Sequence, residues 1–206
     1  MKVLMLNGSP HRSGCTDRAL REVQSVLEKT GIETEIFWIG RETIAGCIGC
    51  GACSGGKPCF RNDAVNVFVE KAREADGFVF GTPVHYAAAS GAVTSLLDRC
   101  FYCGKSAFAH KPGACVVSAR RAGTTAAFDQ MNKYLTISQM IVVSSQYWNN
   151  VHGNTPEEVE KDQEGLQIMR TLGRNMAWLL RCIEAGKKAG LLPPELEPWT
   201  GTNFIR

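Results

Sequence analysis

The stretch that decides the fold is KVLMLNGSPHRSGCT, residues 2–16. Its apolar run, Val3–Leu6, has the character of a short strand that is buried on both faces. Asn7 and Gly8 end this run, and an apolar stripe with helical spacing begins at Leu20. A buried strand that passes through a loop of small residues into a helix is typical of the first unit of a parallel α/β sheet.

The same alternation of strand and helix recurs along the chain. Further strands are predicted at Glu35–Ile39, Phe78–Gly81, Ala114–Ser118 and Met140–Ser144, and further helices at Ala64–Ala75, Ala88–Phe101 and Thr124–Leu135. This order predicts a doubly wound parallel sheet with helices on both faces. Ligands of such sheets bind outside the carboxyl ends of the strands, so the loops after the first, third and fourth strands are the candidates.

Two parts of the chain are predicted from these patterns. Residues 1–153 carry the strands and a Gly- and Cys-rich loop, residues 46–62, after the second strand. Residues 154–206 are expected to form a helix and a tail that pack on the same domain or on a neighbouring subunit. Thr155 and Glu158 have the spacing of a capping box at the start of a long helix that extends to about Gly186, either straight or bent near Gly165 or Gly173. The apolar anchors expected in the tail are Trp199 and Phe204.

Composition excludes several classes of function. A chain of 206 residues with 44% hydrophobic residues suits one globular domain. The net charge of +3 is spread without a basic block, which disfavours nucleic-acid binding. No run approaches the ~20 apolar residues of a membrane span, and the short N-terminal run does not have the pattern of a signal peptide. Nine cysteines, an odd number, favour the reducing cytoplasm.

The loop after the first strand has the chemistry of a phosphate site. Hydroxyls at Ser9, Ser13 and Thr16 can donate to an anion, and the free N–H groups of the helix start point the same way. The loop lacks the Gly-Lys-Ser/Thr of a Walker A motif and the GxGxxG of a dinucleotide site. The alternative is an ordinary strand–helix turn that binds nothing.

Two later loops can hold a planar ring. GTPVHY, residues 81–86, offers a proline, an apolar residue and aromatic rings after the third strand. SARRAGT, residues 118–124, follows the fourth strand and can place positive charge near a reduced, anionic ring. Arg120 and Arg121 could instead attract the phosphates of NAD(P)H, or one of them could simply be solvated.

These segments together resemble the NADPH-dependent FMN reductases of flavodoxin-like fold, and within them the iron–sulfur flavoproteins. The motifs that carry the resemblance are NGSP (7–10), GCT (14–16), GTPVHY (81–86), SLLDR (95–99), RRAG (120–123) and YW (147–148). The resemblance covers Met1 to about Gly153. It implies a five-stranded sheet of order 2-1-3-4-5 with bound FMN, and NAD(P)H as a substrate.

Carried over residue by residue, the resemblance implies that the first loop holds the FMN phosphate and the other two hold the flavin ring. The implied cofactor-binding residues are Ser9, Arg12, Ser13, Gly14, Cys15, Thr16, Thr82, Pro83, Val84, His85, Tyr86, Ser118, Arg120, Arg121 and Gly123. Cys15 stands where the family commonly has Asn, and His85 where it commonly has Tyr. No side chain is assigned as a catalytic acid or base, because the flavin carries the chemistry.

Four cysteines with the spacing C-x2-C-x2-C-x5-C form a second motif. They are Cys47, Cys50, Cys53 and Cys59. Four thiolates from one glycine-rich loop can close around a cubane, and the motif is similar to the compact cysteine motif of the iron–sulfur flavoproteins, whose cluster is [4Fe–4S]. Zinc and a set of empty thiols are the alternatives, although structural zinc sites more often combine two separated pairs. The remaining helix and strand cysteines, Cys100, Cys103, Cys115 and Cys182, are expected to be buried.

Two principal functions remain open at this point. In the first, the protein passes electrons from NAD(P)H to a second acceptor through FMN by ping-pong turnover. In the second, it is an electron carrier that links a ferredoxin-type donor to an acceptor through [4Fe–4S] and FMN. A flavin-using sensor without turnover is a third. A homo-oligomer, dimer or tetramer, is expected, with Trp148 either near a neighbour's flavin or in an ordinary interface.

Overall fold

The structure is a computed structural model that describes residues 1–195, 197–198 and 200–202. The predicted tail anchors Trp199 and Phe204 lie outside the described residues. The strands are β1 (Lys2–Asn7), β2 (Glu33–Trp38), β3 (Gly77–His85), β4 (Ala88–Ala89), β5 (Pro112–Ala119), β6 (Ile141–Val142) and β7 (Asn150–His152). The α-helices are α1 (Cys15–Lys29), α2 (Ala64–Glu74), α3 (Gly91–Cys103), α4 (Thr124–Ile137), α5 (Pro156–Val159) and α6 (Gln163–Lys188), and a 3-10 turn spans Lys105–Ala107.

The main sheet has the order β2-β1-β3-β5-β6, and its neighbouring strands are parallel. Because β5 and β6 are the fourth and fifth strands predicted from the sequence, this is the expected order 2-1-3-4-5. The flavodoxin-like doubly wound fold is therefore confirmed. Two short strands add to it: β4 pairs antiparallel with β3, and β7 pairs parallel with β5.

Alternate residues of the strands face two separate cores. Leu4 and Leu6 of β1 point into a core formed with α2, α3 and α4. Val3 and Met5 point to the opposite face, which α1 and α6 cover. Strands covered on both faces carry continuous apolar runs, and this explains the run at residues 3–6.

The predicted fifth strand, Met140–Ser144, is interrupted. Only Ile141 and Val142 pair with the start of β5, while Asn150–His152 pair with its end. Between them, the Ser145 hydroxyl bonds to the carbonyl of Tyr147 and to the Asn149 side chain, both at 2.7 Å. These local bonds replace ladder bonds, so the chain leaves the sheet edge and presents Tyr147 and Trp148 to solvent.

The long C-terminal helix predicted from residue 155 is divided into two helices, α5 and α6, by a break just before Gly165, one of the two positions at which a bend is expected. Thr155 caps the short α5, as its side chain accepts from the N–H of Glu158. Asp162 then caps α6 by accepting from the N–H of Gly165 at 2.9 Å, and it accepts the N–H of His152 at 2.7 Å. A Cβ at Gly165 would lie 2.3 Å from the Asp162 carboxylate, so the glycine permits this break. Among the described residues, no helix has the length and apolar character needed to cross a bilayer.

The predicted helix over Ala88–Phe101 begins later, at Gly91. Ala88 and Ala89 instead turn back on β3, opposite His85 and Val84, to form a hairpin. The backbone is fixed there by a hydrogen bond from Ala89 N–H to the Gln130 side chain at 3.0 Å. This contact comes from α4, far along the chain, so local periodicity does not reveal it.

Candidate functional site

The loop after β1 is organised by one fully buried asparagine. The Asn7 side chain accepts the N–H of Ser9 at 3.1 Å and donates to the carbonyl of Arg12 at 3.0 Å. Ser9 in turn accepts the N–H of His11 at 3.1 Å. Sequence reasoning missed this role of Asn7, although Asn at the end of a strand is a known signal for a loop built on side-chain bonds.

The start of α1 leaves backbone donors free for an anion. Within the described parts of the chain, the N–H groups of Ser13, Cys15, Thr16 and Asp17 have no hydrogen-bond acceptor. The positive end of the helix dipole lies at the same place. These donors fit the phosphate dianion of FMN, as the sequence predicts for this loop.

Neighbouring elements hold the loop in place. Trp38 at the end of β2 donates its indole N–H to the carbonyl of Ser9 at 2.8 Å. The exposed guanidinium of Arg12 lies 5.7 Å from the centre of the Trp38 ring. The buried hydroxyls of Thr16 and Ser118 are 2.8 Å apart and join the first loop to the end of β5. Gly14 and Cys15 are partly buried, and the Cys15 thiol donates to the carbonyl of Gly153 at 3.4 Å.

The predicted ring-binding segment forms a strained hairpin between β3 and β4. Its two turn residues, Tyr86 and Ala87, have φ of 51° and 58°, a left-handed conformation that costs non-glycine residues about 1–2 kcal/mol each. Tyr86 is fully exposed and His85 is also exposed. Such strain commonly occurs at ligand-binding sites, which agrees with the predicted role of this segment.

The two predicted ring loops contact each other. Gly123 has φ of 93°, and a Cβ there would lie 2.8 Å from Ala87 Cα and 2.9 Å from Val84 Cγ1. Arg120 and Arg121 are exposed beside this contact. The Thr82 hydroxyl is buried, accepts the N–H of Ser90 at 3.0 Å and donates to the carbonyl of Pro83 at 3.0 Å. The Thr82 hydroxyl therefore stabilises the loop through these two backbone hydrogen bonds.

The four cysteines of the second motif line one cavity of about 400 Å³. Cys47 and Cys50 are exposed, and Cys53 and Cys59 are partly buried. The cavity is also lined by Arg61, Arg99, Tyr102 and Cys103. The loop reaches this shape through glycines in left-handed conformations, among them Gly49 and Gly51 with φ of 65° and 70°.

The donors that line the cavity are of the kind that hold an iron–sulfur cluster. Within the described residues, no group of three or more His, Cys, Asp or Glu side chains is placed to hold one metal ion. A cubane takes one thiolate at each of four irons, so its ligands stand farther apart than around one zinc. Arg61, which lines the cavity, has a buried Nε without a hydrogen-bond partner among the described residues. A cluster sulfide or a thiolate is a suitable acceptor for such a donor.

Cys59 is the most firmly held of the four cysteines. The Asn66 side chain accepts the N–H of Cys59 at 3.0 Å and donates to its carbonyl at 2.9 Å. Asp63 caps α2 by accepting the N–H of Val65 at 3.1 Å, and it forms an ion pair with buried Arg99. Burial opposes the charge of Arg99, but hydrogen bonds to Asp63 and Cys59 raise its pKa above the ordinary value.

The remaining cysteines differ from one another. Cys100, Cys103 and Cys115 are buried as predicted, and burial raises the pKa of each thiol. The prediction of a core position for Cys182 is wrong, because α6 turns this residue to solvent. Cys103 also lines the cysteine cavity, a position that the sequence analysis did not predict.

Curated proteins similar to this chain are iron–sulfur flavoproteins. The chain is 31% identical over 192 residues to an iron–sulfur flavoprotein from Methanocaldococcus jannaschii. This alignment covers 89% of this chain and 100% of the relative. The chain is 28% identical over 193 residues to one from Methanosarcina thermophila, with coverages of 91% and 99%.

Solved structures with the same fold are more distant in sequence. RosB, determined with its bound intermediate 8-demethyl-8-formylriboflavin-5'-phosphate, aligns with a TM-score of 0.70 at 18% identity, covering 100% of this chain and 94% of that one. An NAD(P)H:quinone oxidoreductase from Methanothermobacter marburgensis aligns with a TM-score of 0.65 at 18% identity, covering 85% and 96%. At these identities the likeness shows the fold alone.

The family of the chain follows from its sequence together with this geometry. Residues 1–155 match the family described as NADPH-dependent FMN reductase. The loops of that match are the ones that converge at the carboxyl edge of the sheet, and the cysteine cavity lies beside α3. This protein therefore belongs to the NADPH-dependent FMN reductase family of FMN-dependent oxidoreductases, in which it groups with the iron–sulfur flavoproteins.

Proposed function

We propose that the protein moves electrons between a one-electron donor of the ferredoxin type and an acceptor, with FMN and a [4Fe–4S] cluster as its cofactors. The observation that carries this proposal is the cavity that Cys47, Cys50, Cys53 and Cys59 line together with two arginines. When bound, the cluster supplies one-electron chemistry and the flavin supplies both one- and two-electron chemistry.

The residues of the first loop would bind and orient the flavin phosphate. The N–H groups of Ser13, Cys15 and Thr16 are free to donate to one anion, and the hydroxyls of Ser9 and Thr16 lie in the same loop. The Val84–Gly123 contact would support one edge of the ring. The loop can accommodate one phosphate and lacks the fingerprint for a pyrophosphate, so we expect FMN rather than FAD.

Helix α3 connects the two cofactor sites within one chain. It begins at Gly91, next to the hairpin that would hold the ring, and Arg99 and Tyr102 near its end line the cysteine cavity. At 1.5 Å per residue, the eight residues from Gly91 to Arg99 span about 12 Å. One continuous helix thus carries residues of both sites, which supports electron exchange between them.

Direct use of NAD(P)H with ping-pong turnover is the second candidate. The exposed hairpin at His85 and Tyr86 leaves access to the outer face of the ring site. Exposed Arg120 and Arg121 lie beside it and could contact the phosphates of a nicotinamide cofactor. The choice between NADH and NADPH stays open.

We further propose a homo-oligomer in the reducing cytoplasm. All nine cysteines lie in the described parts of the chain and are free thiols, which suits a reducing compartment. Exposed Tyr147 and Trp148, whose rings are 4.8 Å apart, offer an apolar contact near the carboxyl edge of the sheet. A neighbouring subunit would cover them, and with them one side of the flavin site.

Anaerobic purification tests the cofactor content. We expect flavin and cluster absorption together, FMN rather than FAD on chromatography, and four irons with four sulfides per chain. Serine variants of Cys47, Cys50, Cys53 and Cys59 should lose iron, whereas Cys182→Ser, at an exposed cysteine away from the cavity, should retain it. Wild-type protein without iron would instead support empty thiols, and iron retained in all four variants would place the ligands elsewhere.

Steady-state assays distinguish the two electron donors. Protein of known iron content is supplied with NADH, NADPH or a reduced ferredoxin, and flavin reduction is followed by absorbance. Flavin reduction by ferredoxin that is lost with the Cys→Ser variants supports the proposed carrier. Rapid NAD(P)H oxidation that is unaffected in those variants supports the second candidate and contradicts the first.

A further inference from the structure

Arg99 makes a direct contact with one sulfur of the cysteine motif. Its Nε and Nη2 donate to Cys59 Sγ at 3.4 and 3.2 Å. The same guanidinium donates to the two carboxylate oxygens of Asp63 at 2.6 and 3.0 Å and to the carbonyl of Ala45 at 3.2 Å. Only 2% of the Arg99 side chain is exposed, so these bonds are shielded from water.

The other sulfurs of the motif lack a comparable partner. Cys47 Sγ accepts one long bond, from the N–H of Gly49 at 3.5 Å. Across the described residues, the sulfurs of Cys50 and Cys53 accept no hydrogen bond. Among the four described cysteines of the motif, Cys59 alone has its sulfur bonded by another side chain, and its backbone is held as well by Asn66.

We propose that Arg99 positions Cys59 as a cluster ligand and raises the reduction potential of the cluster through its N–H···S hydrogen bonds and its buried positive charge. The proposal rests on the cluster site of the proposed function. Hydrogen bonds to the sulfurs and net charge help to set the potential of such clusters. Reduction adds negative charge, so a nearby donor and cation stabilise the reduced state more than the oxidised one.

The geometry requires arginine rather than any cation. The planar guanidinium bonds to the sulfur along one edge while it bonds to Asp63 along another. Because Asp63 caps α2 and Arg99 belongs to α3, the sulfur is held between two helices before any cluster arrives. A lysine keeps the charge but cannot form this fork.

The test compares Arg99→Gln and Arg99→Lys with the wild type in anaerobically purified protein. Arg170→Lys is the matched control. Arg170 also donates to a carboxylate, that of Glu22, but this pair lies on the opposite face of the sheet. The measurements are iron per chain, iron retention against a chelator, and the cluster midpoint potential by EPR-monitored redox titration. We expect Arg99→Gln to lower the midpoint potential and to weaken iron retention by roughly ten- to a hundredfold.

Arg99→Lys should show a smaller shift in the same direction, because it restores the charge without the fork, and Arg170→Lys should match the wild type. If Arg99→Gln does not fold, Arg99→Lys alone decides. A wild-type potential and wild-type iron retention in a folded Arg99 variant would overturn the proposal and leave the cluster assignment intact. Wild-type protein without iron would overturn both, which separates the two failures.

Discussion

At the residue scale, buried polar side chains give the carboxyl edge of the sheet its shape. Asn7 is fully buried and holds the backbone of the first loop at two points. Thr16 and Ser118, both buried, join that loop to β5 through their hydroxyls. Buried polar groups are stable only when they are hydrogen-bonded, so these contacts fix the loop in one conformation. A preformed loop loses little conformational entropy when it binds a phosphate.

The Thr16→Ala substitution tests this loop. With Ser118 as the donor of the Thr16–Ser118 pair, the Thr16 proton is left for the phosphate, and the substitution removes this donor together with the link to β5. A hydrogen bond to a charged group contributes about 1.5–3 kcal/mol. We therefore expect FMN affinity, measured by flavin fluorescence, to fall by roughly ten- to a hundredfold. Thr136→Ala, at an exposed threonine near the C-terminal end of α4, is the control and should leave affinity unchanged. An unchanged dissociation constant for Thr16→Ala would remove the loop from the flavin site.

At the element scale, close approaches between helices and loops decide which segments meet. A Cβ at Gly173 of α6 would lie 2.9 Å from Val26 Cβ, so this glycine lets α6 pack tightly on α1. Gly123 likewise lets the loop after β5 approach the hairpin between β3 and β4 closely. Both positions follow from contacts between distant segments of the chain.

Gly123→Ala should disturb the ring site without unfolding the protein. The added Cβ would meet Ala87 Cα at 2.8 Å, and its φ of 93° is unfavourable for alanine. The hairpin must move, so we expect weaker FMN binding and altered flavin absorbance on reconstitution. Gly186→Ala in α6 has only ordinary contacts, at 3.7 Å and beyond, and is the matched control. Equal flavin affinity in the two variants would argue against a role of this contact in binding.

Glu22 joins α1 to α6 and makes their packing pH-dependent. It forms ion pairs with Arg18 at 2.9 Å and with Arg170 at 2.6 Å. Burial alone would raise the pKa of Glu22, but the hydrogen bonds from Arg170 and Arg18 lower it below the ordinary value. A carboxyl with a lowered pKa stabilises the fold above its unfolded pKa of about 4.3 and loses that contribution as the pH falls through the folded pKa.

Glu22→Gln should therefore lower the free energy of unfolding of the apoprotein by about 1–2 kcal/mol near neutral pH. The difference from wild type should shrink at acid pH, where the wild-type carboxyl is protonated as well. Urea unfolding at both pH values measures it. Glu184→Gln, in an exposed pair with Lys188, should cost less than about 1 kcal/mol. A Glu22→Gln effect of equal size at both pH values would contradict the ionic origin.

At the scale of the whole molecule, the two faces of the sheet carry different features. One face carries α2, α3 and the cysteine cavity, and the other carries α1 and α6. The loops after β1, β3 and β5 lie at the carboxyl edge, where both faces meet. The interrupted strand exposes Tyr147 and Trp148, with their rings 4.8 Å apart, near that edge. Exposed apolar residues grouped in this way are typical of a contact between subunits.

We expect light scattering to give a mass that is a multiple of 22.5 kDa, with FMN bound. Trp148→Ala should weaken flavin binding or change its potential, because the tryptophan would cover a flavin site from a neighbouring subunit. Trp178→Ala, at an exposed tryptophan of α6, is the comparison and should not affect the flavin. A mass of 22.5 kDa with FMN fully bound would refute the oligomer. An oligomer with an unaltered flavin in Trp148→Ala would remove only the tryptophan from the site.

The sequence by itself determined the order of strands and helices, the strand–loop–helix unit at residues 2–16 and the four-cysteine motif. These features are local, since a strand needs a continuous apolar run, a helix start offers free N–H groups, and a compact cysteine motif brings its own ligands together. The same local signals misplaced the start of α3 and merged α5 with α6, because Gln130 and Asp162 fix those boundaries through particular side-chain bonds.

Only the tertiary structure decided which distant side chains meet. Arg99 lies forty positions from Cys59 in the sequence, and Thr16 lies 102 positions from Ser118, yet each pair forms hydrogen bonds. The exposure of Cys182 and the contact between Gly123 and Ala87 likewise depend on how helices and loops pack. Such contacts follow from the packing of whole elements across the sheet, and hydrophobic periodicity along the chain does not predict that packing.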